Sequence, residues 1–348
     1  MTDNIDFTSI PLDDIELVGQ RRMIHTDLFT VSWLLGRFCN YNCSYCWPYA
    51  RADRKDHRDT DLCLLTIDEI KRQARENGFN SFHFSLSGGE PTFHPGYLDI
   101  LRHLSSDRAN TNYSSIHMTT NMSRKGAWWD SYLEVAQTFD RASITASCHR
   151  EHVNTEEKLN DFIKKLCTLQ QKGVIITINH VMVVDRFDQC WEDAQRFAAE
   201  GLNVTLKPQS DPTASFVVDG YTPDMLDILQ NGMPQTTGMQ IELKSATDTY
   251  YMDQAERFNS FNFNRFEGWE CSSGYRSIII REPDGSIKRS YSCRDEPLGY
   301  IDKGFRLFDK PQPCITETCV SSADSKIPKR KPNTTHKLYT KSRFYDTI

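Results

Sequence analysis

The sequence predicts an α/β protein: a parallel sheet, open or closed into a barrel, followed by a smaller region built on a β-hairpin. Three observations lead there. Six short β-rich runs alternate with helical patterns as far as about residue 210. Beyond that point the alternation stops and a polar, aromatic-rich stretch leads into a hairpin pattern. The unusual residues of the first part fall at the ends of its β-rich runs, where α/β folds place their sites.

The strand candidates are residues 29–38, 82–88, 115–121, 142–148, 174–183 and 203–209. Between them, TIDEIKRQARENG carries Thr66 as an N-cap, Glu69 three residues on as its capping-box partner, and Gly78 as a stop. The device recurs at Asn154, Glu157 and Gly173, and a third helix starts at Asp188 and ends at Gly201. Thr222 followed by Pro223 opens one short helix after the sheet. The run CSSGYRSIIIREPDGSIKRSYSC reads as two β-rich arms around a Pro-Asp-Gly turn, with Cys271 and Cys293 at its outer ends. The expected organisation is an N-terminal extension (1–28), the sheet domain (29–215), a helical and aromatic bridge (216–270), the hairpin region (271–320) and a basic tail (321–348).

At 348 residues the chain can bury a large core, and 38% hydrophobic with 25% charged residues is ordinary for an enzyme. A net charge of -6 gives no global basic footprint, so nucleic acid is excluded as the default partner. The opening MTDNIDFTSIPLDDIELV has neither a cationic n-region nor an apolar h-region, and no run approaches a membrane span. The expectation is a cytoplasmic protein with no membrane partner. In that compartment eleven cysteines point to metal ligation, catalysis or packing before disulfides.

Cys39, Cys43 and Cys46 stand in C-x3-C-x2-C spacing directly after the first strand, in FCNYNCSYCWP. Three thiols alone fit a metal site, a redox site or chance. A structural zinc site ordinarily shows C-x2-C pairs totalling four ligands, whereas three thiolates on one tight loop suit three corners of a cubane iron–sulfur cluster. This spacing, with Tyr45 before the last cysteine, resembles the motif of the radical SAM superfamily. A second match follows in SLSGGEPTFHP, where Gly88, Gly89, Glu90 and Pro91 resemble the family's GGEP motif at the end of the second strand. Glycines allow close backbone approach and a carboxylate suits a cationic amine; by themselves they read equally as a turn with a solvated Glu.

The resemblance implies a partial (β/α)6 TIM-like barrel that holds a [4Fe-4S] cluster on Cys39, Cys43 and Cys46 and binds S-adenosyl-L-methionine, with the 88–91 loop at the amino group. It implies contacts to that cofactor or the substrate from Thr120 and Asn121 of the TTN run, from Ser147 and from Lys207. It further implies reductive cleavage to a 5′-deoxyadenosyl radical, hydrogen abstraction from a substrate, and a flavodoxin- or ferredoxin-type electron donor. Cys148, expected to face the mouth at its strand end, is a candidate hydrogen-atom donor in an epimerisation, and His149 a candidate base. Cys63, Cys167 and Cys190 read as packing.

Cys271, Cys293, Cys314 and Cys319 resemble the auxiliary-cluster region called SPASM or, in shorter form, Twitch. Four cysteines where the full form has about seven favour Twitch with one further [4Fe-4S] cluster; a zinc ribbon uses the same four thiolates. The substrate readings are oxidation or epimerisation of a small carbohydrate or aminocyclitol-like molecule, and modification of a ribosomally made peptide. The reading from another class is a non-enzymatic iron–sulfur or zinc-binding scaffold, which has no use for the GGEP loop.

Overall fold

A computed structural model describes residues 10–46, 56–211, 213, 216–234, 240–252, 263–319 and 321–338. The start of the expected N-terminal extension, Trp47 after the cysteine motif, residues 253–262 of the bridge and the last ten of the tail lie outside the described residues. The elements in chain order are β1 (Leu17–Gln20), α1 (Arg21–His25), β2 (Leu28–Leu34), α2 (Thr60–Glu76), β3 (Ser81–Ser87), α3 (Tyr97–Ser105), β4 (Tyr113–Thr120), α4 (Gly126–Ala136), β5 (Arg141–Cys148), α5 (Glu156–Gln171), β6 (Ile175–Met182), α6 (Phe187–Ala199) and β7 (Asn203–Pro208). Then follow α7 (Pro223–Asn231), β8 (Ile241–Lys244), β9 (Thr249–Met252), β10 (Glu270–Cys271), β11 (Ser277–Ile280), β12 (Ser286–Lys288), β13 (Gly299–Tyr300), β14 (Gly304–Phe305), β15 (Gln312–Pro313), α8 (Ser322–Ser325) and β16 (Lys329–Arg330). No described helix is long and apolar enough to cross a membrane.

The chain divides into two compact units. One holds residues 32–67 and 83–236, the other residues 1–31, 68–82 and 237–348. In the first, strands β2 to β7 follow one another in sequence order across the sheet. Parallel pairing sets Ile144 beside Met118 and Ile176, and Ile178 beside Val204. Alternation is strict: Ile144, Ala146 and Cys148 are buried on β5, as are Ile176, Ile178 and His180 on β6, while Thr145, Ser147, Thr177 and Asn179 are half-exposed. One face of the sheet is therefore apolar and closed, and the other is polar and open.

Helix signals hold at most ends, with three shifts of position, the slightest at α6, where Asp188 falls in the first turn after Phe187. Thr155 rather than Asn154 caps α5, accepting from Lys158 N at 3.3 Å. Thr66 and Glu69 are not a start signal. They lie inside α2, where Thr66 Oγ1 bonds the Leu62 carbonyl at 2.7 Å and Asp59 receives the Leu62 amide at 2.9 Å. Helices α3 and α4 have no counterpart in the sequence reading, although Tyr97, Ile100, Leu101 and Leu104 on α3, and Trp129, Tyr132 and Val135 on α4, supply buried stripes at helical spacing.

In the second unit, strands from the expected extension, bridge, hairpin region and tail pair in one six-stranded sheet. β1 pairs antiparallel with β8 on one side, Val18 opposite Leu243, and with β16 on the other, Val18 opposite Lys329. The stretches at the two ends are thus stitched together, because two- to four-residue strands gain stability only as members of a wider sheet. The hairpin is present, Ile279 opposite Lys288 and Ile280 opposite Ile287, turned by Pro283, Asp284 and Gly285. Gly285 sits at φ 74° and Asp284 receives the Ser286 amide at 2.9 Å, the conformation a Gly at that turn position permits.

Candidate functional site

Four loops that each follow a strand converge at the C-terminal end of the parallel sheet. The first carries Cys39, Cys43 and Cys46; Cys43 is buried, the other two half-exposed, and none is in a disulfide. The second is the Gly-Gly-Glu-Pro loop. Its amides bond the segment between β2 and the cysteines, Gly89 N to Gly36 O at 3.1 Å and Glu90 N to Phe38 O at 2.7 Å. A Cβ on Gly88 would lie 2.6 Å from the Gly36 carbonyl oxygen, and one on Gly89 would lie 2.2 Å from that of Phe38. The glycines thus admit the protein's own backbone, a closer cause than the ligand approach the sequence suggested.

Glu90 is 1% exposed and spends its carboxylate within the protein. Oε1 accepts from Thr92 N at 3.1 Å, Thr92 Oγ1 at 2.7 Å and Thr120 Oγ1 at 2.7 Å, and Oε2 accepts from Asn121 N at 2.6 Å. Burial nevertheless pushes its pKa up against these bonds. Asn121, in the third loop, then reaches back to the cysteine loop, its Nδ2 3.0 Å from Asn40 Oδ1 and 4.0 Å from Cys39 Sγ. The Thr120 and Asn121 of the sequence reading, at the end of β4, therefore link Glu90 to a motif cysteine. Pro91 is buried and opens the short turn after Glu90.

The fourth loop, His149 to Val153 after β5, is represented in the sequence reading by His149 alone. His149 Nδ1 lies 3.0 Å from Tyr45 Oη, and burial lowers the imidazole pKa to about 4 although the ring keeps some solvent contact. Glu151 accepts from Ser44 N at 2.8 Å and also bonds Ser44 Oγ. His152 Nε2 accepts from Asn42 N at 3.3 Å, and its ring stacks on Tyr41 at 4.0 Å and 8°. No spacing signal marks these pairs, which join residues more than a hundred positions apart.

Ser147 and Lys207 both lie on the polar face, half-exposed, Ser147 opposite Asn179 and Lys207 opposite Val181. Cys148 does not face the mouth. It shares the parity of Ile144 and Ala146, is 0% exposed and sits on the closed face opposite His180, so a hydrogen-donor role has no access. Burial first, then Asp193, holds its thiol well above the ordinary value. The same buried layer holds the Arg150–Asp193 ion pair at 3.0 Å, with His180 Nε2 3.9 Å from Asp193. Cys63 and Cys190 are packing, as expected, while Cys167 is half-exposed on α5.

The three motif thiols suit a cluster by their chemistry. None is tied up in a disulfide and they share one loop. Burial, followed by the charges of Glu151, Cys46 and Cys39, lifts the Cys43 thiol to about 12, and a bound cation would favour its thiolate.

In the other unit Cys271, Cys293, Cys314 and Cys319 are each at most 8% exposed and none is in a disulfide. Cys271 on β10 stands opposite Gln312 of β15 and Lys329 of β16, and Cys314 follows β15 directly. Lys329, 1% exposed, donates to the carbonyls of Asp324 at 2.7 Å and Ile327 at 2.9 Å; although burial opposes it, the thiols of Cys319 and Cys271 favour its charged form. Although burial opposes it, the thiols of Cys271 and Cys293 favour the charged form of Arg289. All four thiols are thus buried, with the cationic side chains of Lys329 and Arg289 nearby.

Residues 33–198, which span most of the parallel sheet, the cysteine loop and the Gly-Gly-Glu-Pro loop, match the model of the Radical SAM superfamily. Among curated proteins it is similar to the mycofactocin maturase MftC of Mycobacterium tuberculosis, 22% identical over 192 residues, covering 53% of this chain and 46% of that protein. The chain thus spans about half the length of the curated relative it matches. Among solved structures, anSMEcpe with bound AdoMet aligns at TM-score 0.50 and 13% identity over 79% of this chain and 75% of that one, a likeness of fold. Streptococcus suis SuiB bound to precursor peptide SuiA aligns at TM-score 0.48 and 14% identity, covering 79% of this chain and 63% of that one.

Proposed function

We propose that this protein is a radical SAM enzyme in which Cys39, Cys43 and Cys46 hold a [4Fe-4S] cluster and the loops around Glu90, Thr120, Asn121, Ser147 and Lys207 seat S-adenosylmethionine. When bound, the cluster supplies the electron that cleaves this cofactor to methionine and a 5′-deoxyadenosyl radical, which takes a hydrogen atom from substrate. The observation that carries the reading is the knitting of the cysteine loop to the Gly-Gly-Glu-Pro loop, through Glu90 N to Phe38 O at 2.7 Å and through the bridge that Asn121 makes to Asn40 and Cys39. In this reading β2 to β7 form the partial (β/α)6 barrel, Glu90 organises the cofactor seat through its four hydrogen bonds, and the Cys271, Cys293, Cys314 and Cys319 site holds an auxiliary [4Fe-4S] cluster of Twitch type. An electron donor of flavodoxin or ferredoxin type completes the cycle, and the setting is cytoplasmic.

The polar sheet face supports oxidation or epimerisation of a small carbohydrate or aminocyclitol-like substrate. Inward positions of a parallel barrel are ordinarily filled by Val, Ile and Leu. Here Thr119, Thr145 and Thr177 form one cross-strand row and Ser147, Asn179 and Thr205 the next. Of these, the Thr145, Thr177, Asn179 and Thr205 side chains are half-exposed and have no hydrogen-bond partner among the described residues. With strands about 4.8 Å apart and same-face residues about 6.7 Å apart along a strand, such a patch is about the size of one sugar ring. Modification of a ribosomally made peptide is the competing outcome.

The test is anaerobic. Reconstituted protein should carry about eight irons per chain if both sites hold cubanes, or about four irons and one zinc if the second is a zinc site. It should cleave S-adenosylmethionine on reduction, and Cys43→Ala should not. Cleavage retained in Cys43→Ala would overturn the reading. Cleavage stimulated by short peptides and by no sugar or cyclitol would replace the substrate half with the peptide alternative.

A further inference from the structure

The loop after β5 does nothing for a sheet, yet three of its side chains grip four residues of the cysteine loop. His149 holds Tyr45, Glu151 holds Ser44 by backbone and hydroxyl, and His152 holds Asn42 by its backbone while stacking on Tyr41. The loop is itself pinned. Arg150, 5% exposed, pairs with buried Asp193 at 3.0 Å and donates to Val153 O at 2.7 Å, and Lys158 Nζ donates to His152 O at 3.1 Å. A fixed support thus reaches across to the one segment that must present three thiols in a set geometry.

The grip centres on Cys43. Its sulfur, a Glu151 carboxylate oxygen and a His152 ring nitrogen all lie within 4.8 Å of one another. The two amides that flank Cys43, those of Asn42 and Ser44, are committed to His152 and Glu151. Hydrogen bonds to the sulfurs and nearby net charge are what set a cluster's reduction potential. Flanking amides spent elsewhere withhold donors from those sulfurs, and a carboxylate beside a ligating thiolate opposes the arrival of an electron.

We propose that His149, Glu151 and His152 are positioning residues: a strap that holds the cysteine loop in its ligating conformation and, through Glu151, keeps the potential of the cluster bound there low. The proposal rests on the radical SAM reading above. Glu151 and His152 touch residues of the loop and are assigned no contact with substrate.

Glu151→Gln keeps an oxygen to accept the Ser44 amide and removes the charge; Glu151→Ala removes both. Both variants and the wild type are reconstituted anaerobically as the full chain. Three quantities are read: iron per chain, the thermal midpoint of the metal-free protein, and the midpoint potential of the EPR signal that changes on adding S-adenosylmethionine, titrated without that cofactor. Glu151→Gln is expected to load iron as the wild type does and to shift that potential to a less negative value. Glu151→Ala is expected to lose a large share of the iron at the motif site, with the metal-free thermal midpoint close to that of the wild type. An unmoved potential in Glu151→Gln together with full loading of Glu151→Ala overturns the strap, while the wild type continues to cleave S-adenosylmethionine. A wild type that binds no cluster sensitive to this cofactor overturns the underlying reading, and the strap with it.

Discussion

Replacing Glu90 with Ala should destabilise the protein by about 2–6 kcal/mol even with no metal bound. The carboxylate accepts four hydrogen bonds, two from the buried amides of Thr92 and Asn121 and two from the hydroxyls of Thr92 and Thr120. Bonds to a charged acceptor contribute about 1.5–3 kcal/mol each, a gross value near 6–12 kcal/mol. Against this stands the cost of burying the charge, several kcal/mol, which the upward shift of the Glu90 pKa reflects. After truncation the hydroxyls can rotate to other acceptors, but the two amides cannot. Leaving them bare in a site that is 1% exposed costs about 1–3 kcal/mol each, which sets the net figure. Glu90→Gln should cost about 1–3 kcal/mol: whichever way the amide is turned, its NH2 confronts either the Asn121 or the Thr92 N–H and one donor loses its acceptor. The assay is urea denaturation of reduced protein in chelator. Values for Glu90→Ala within about 0.5 kcal/mol of wild type would refute the reasoning and return Glu90 to a role in which ligand, rather than protein, satisfies its carboxylate.

Acid should weaken the protein through His180. It is fully buried and burial lowers its pKa to about 4, against about 6.5 for an unfolded histidine. On acidification the unfolded chain takes up the proton first. The contribution is therefore whole above about pH 6.5 and falls by up to about 3 kcal/mol as pH drops toward 4. Asp193 lies 3.9 Å from the ring and the Arg150 charge also bears on it, and His180→Leu should flatten this part of the stability profile; an unchanged acid slope would refute the assignment. Cys148→Ala should lower stability by about 1 kcal/mol and leave S-adenosylmethionine cleavage and product stereochemistry unaltered, because the thiol is walled off on the closed face. Loss of inversion in a product that the wild type epimerises would show that the thiol reaches substrate.

What is legible in the sequence is periodic or local. The β5 run ASITASC displays its alternation openly, and its parity already assigns Cys148 to the side of Ile144 and Ala146, the buried side. A reading that sends Cys148 to the mouth weighs its place at the strand end and neglects that parity. The capping box at Thr66 and Glu69 is a true local pattern overruled by six further helical residues upstream, where Asp59 supplies the cap. Other features have no periodic trace. The partners of Glu90 lie on two different loops, the strap ties residue 152 to residue 42, and β1 joins strands more than two hundred positions away. Such pairings arise from topology, and a single sequence carries no record of them.

That topology also explains why the legible and illegible parts of the site belong together. In a parallel sheet every strand delivers its following loop to the same end. β2 delivers the cysteines, β3 the Gly-Gly-Glu-Pro turn, β4 Asn121 and β5 the strap, so that sequence neighbours in the sheet become spatial neighbours above it. The loops are then fixed by backbone contact: no side chain fits at Gly89, where a Cβ would meet the Phe38 oxygen at 2.2 Å, and the Glu90 amide closes the same gap with a hydrogen bond. Any movement of the Gly-Gly-Glu-Pro turn must therefore displace the segment that carries Cys39, and any movement of Asn121 must break either its bond to Glu90 or its reach to Asn40. A motif that reads in sequence as a cofactor grip is, in the fold, also the brace that sets the cysteine loop, and the two duties act on the same atoms.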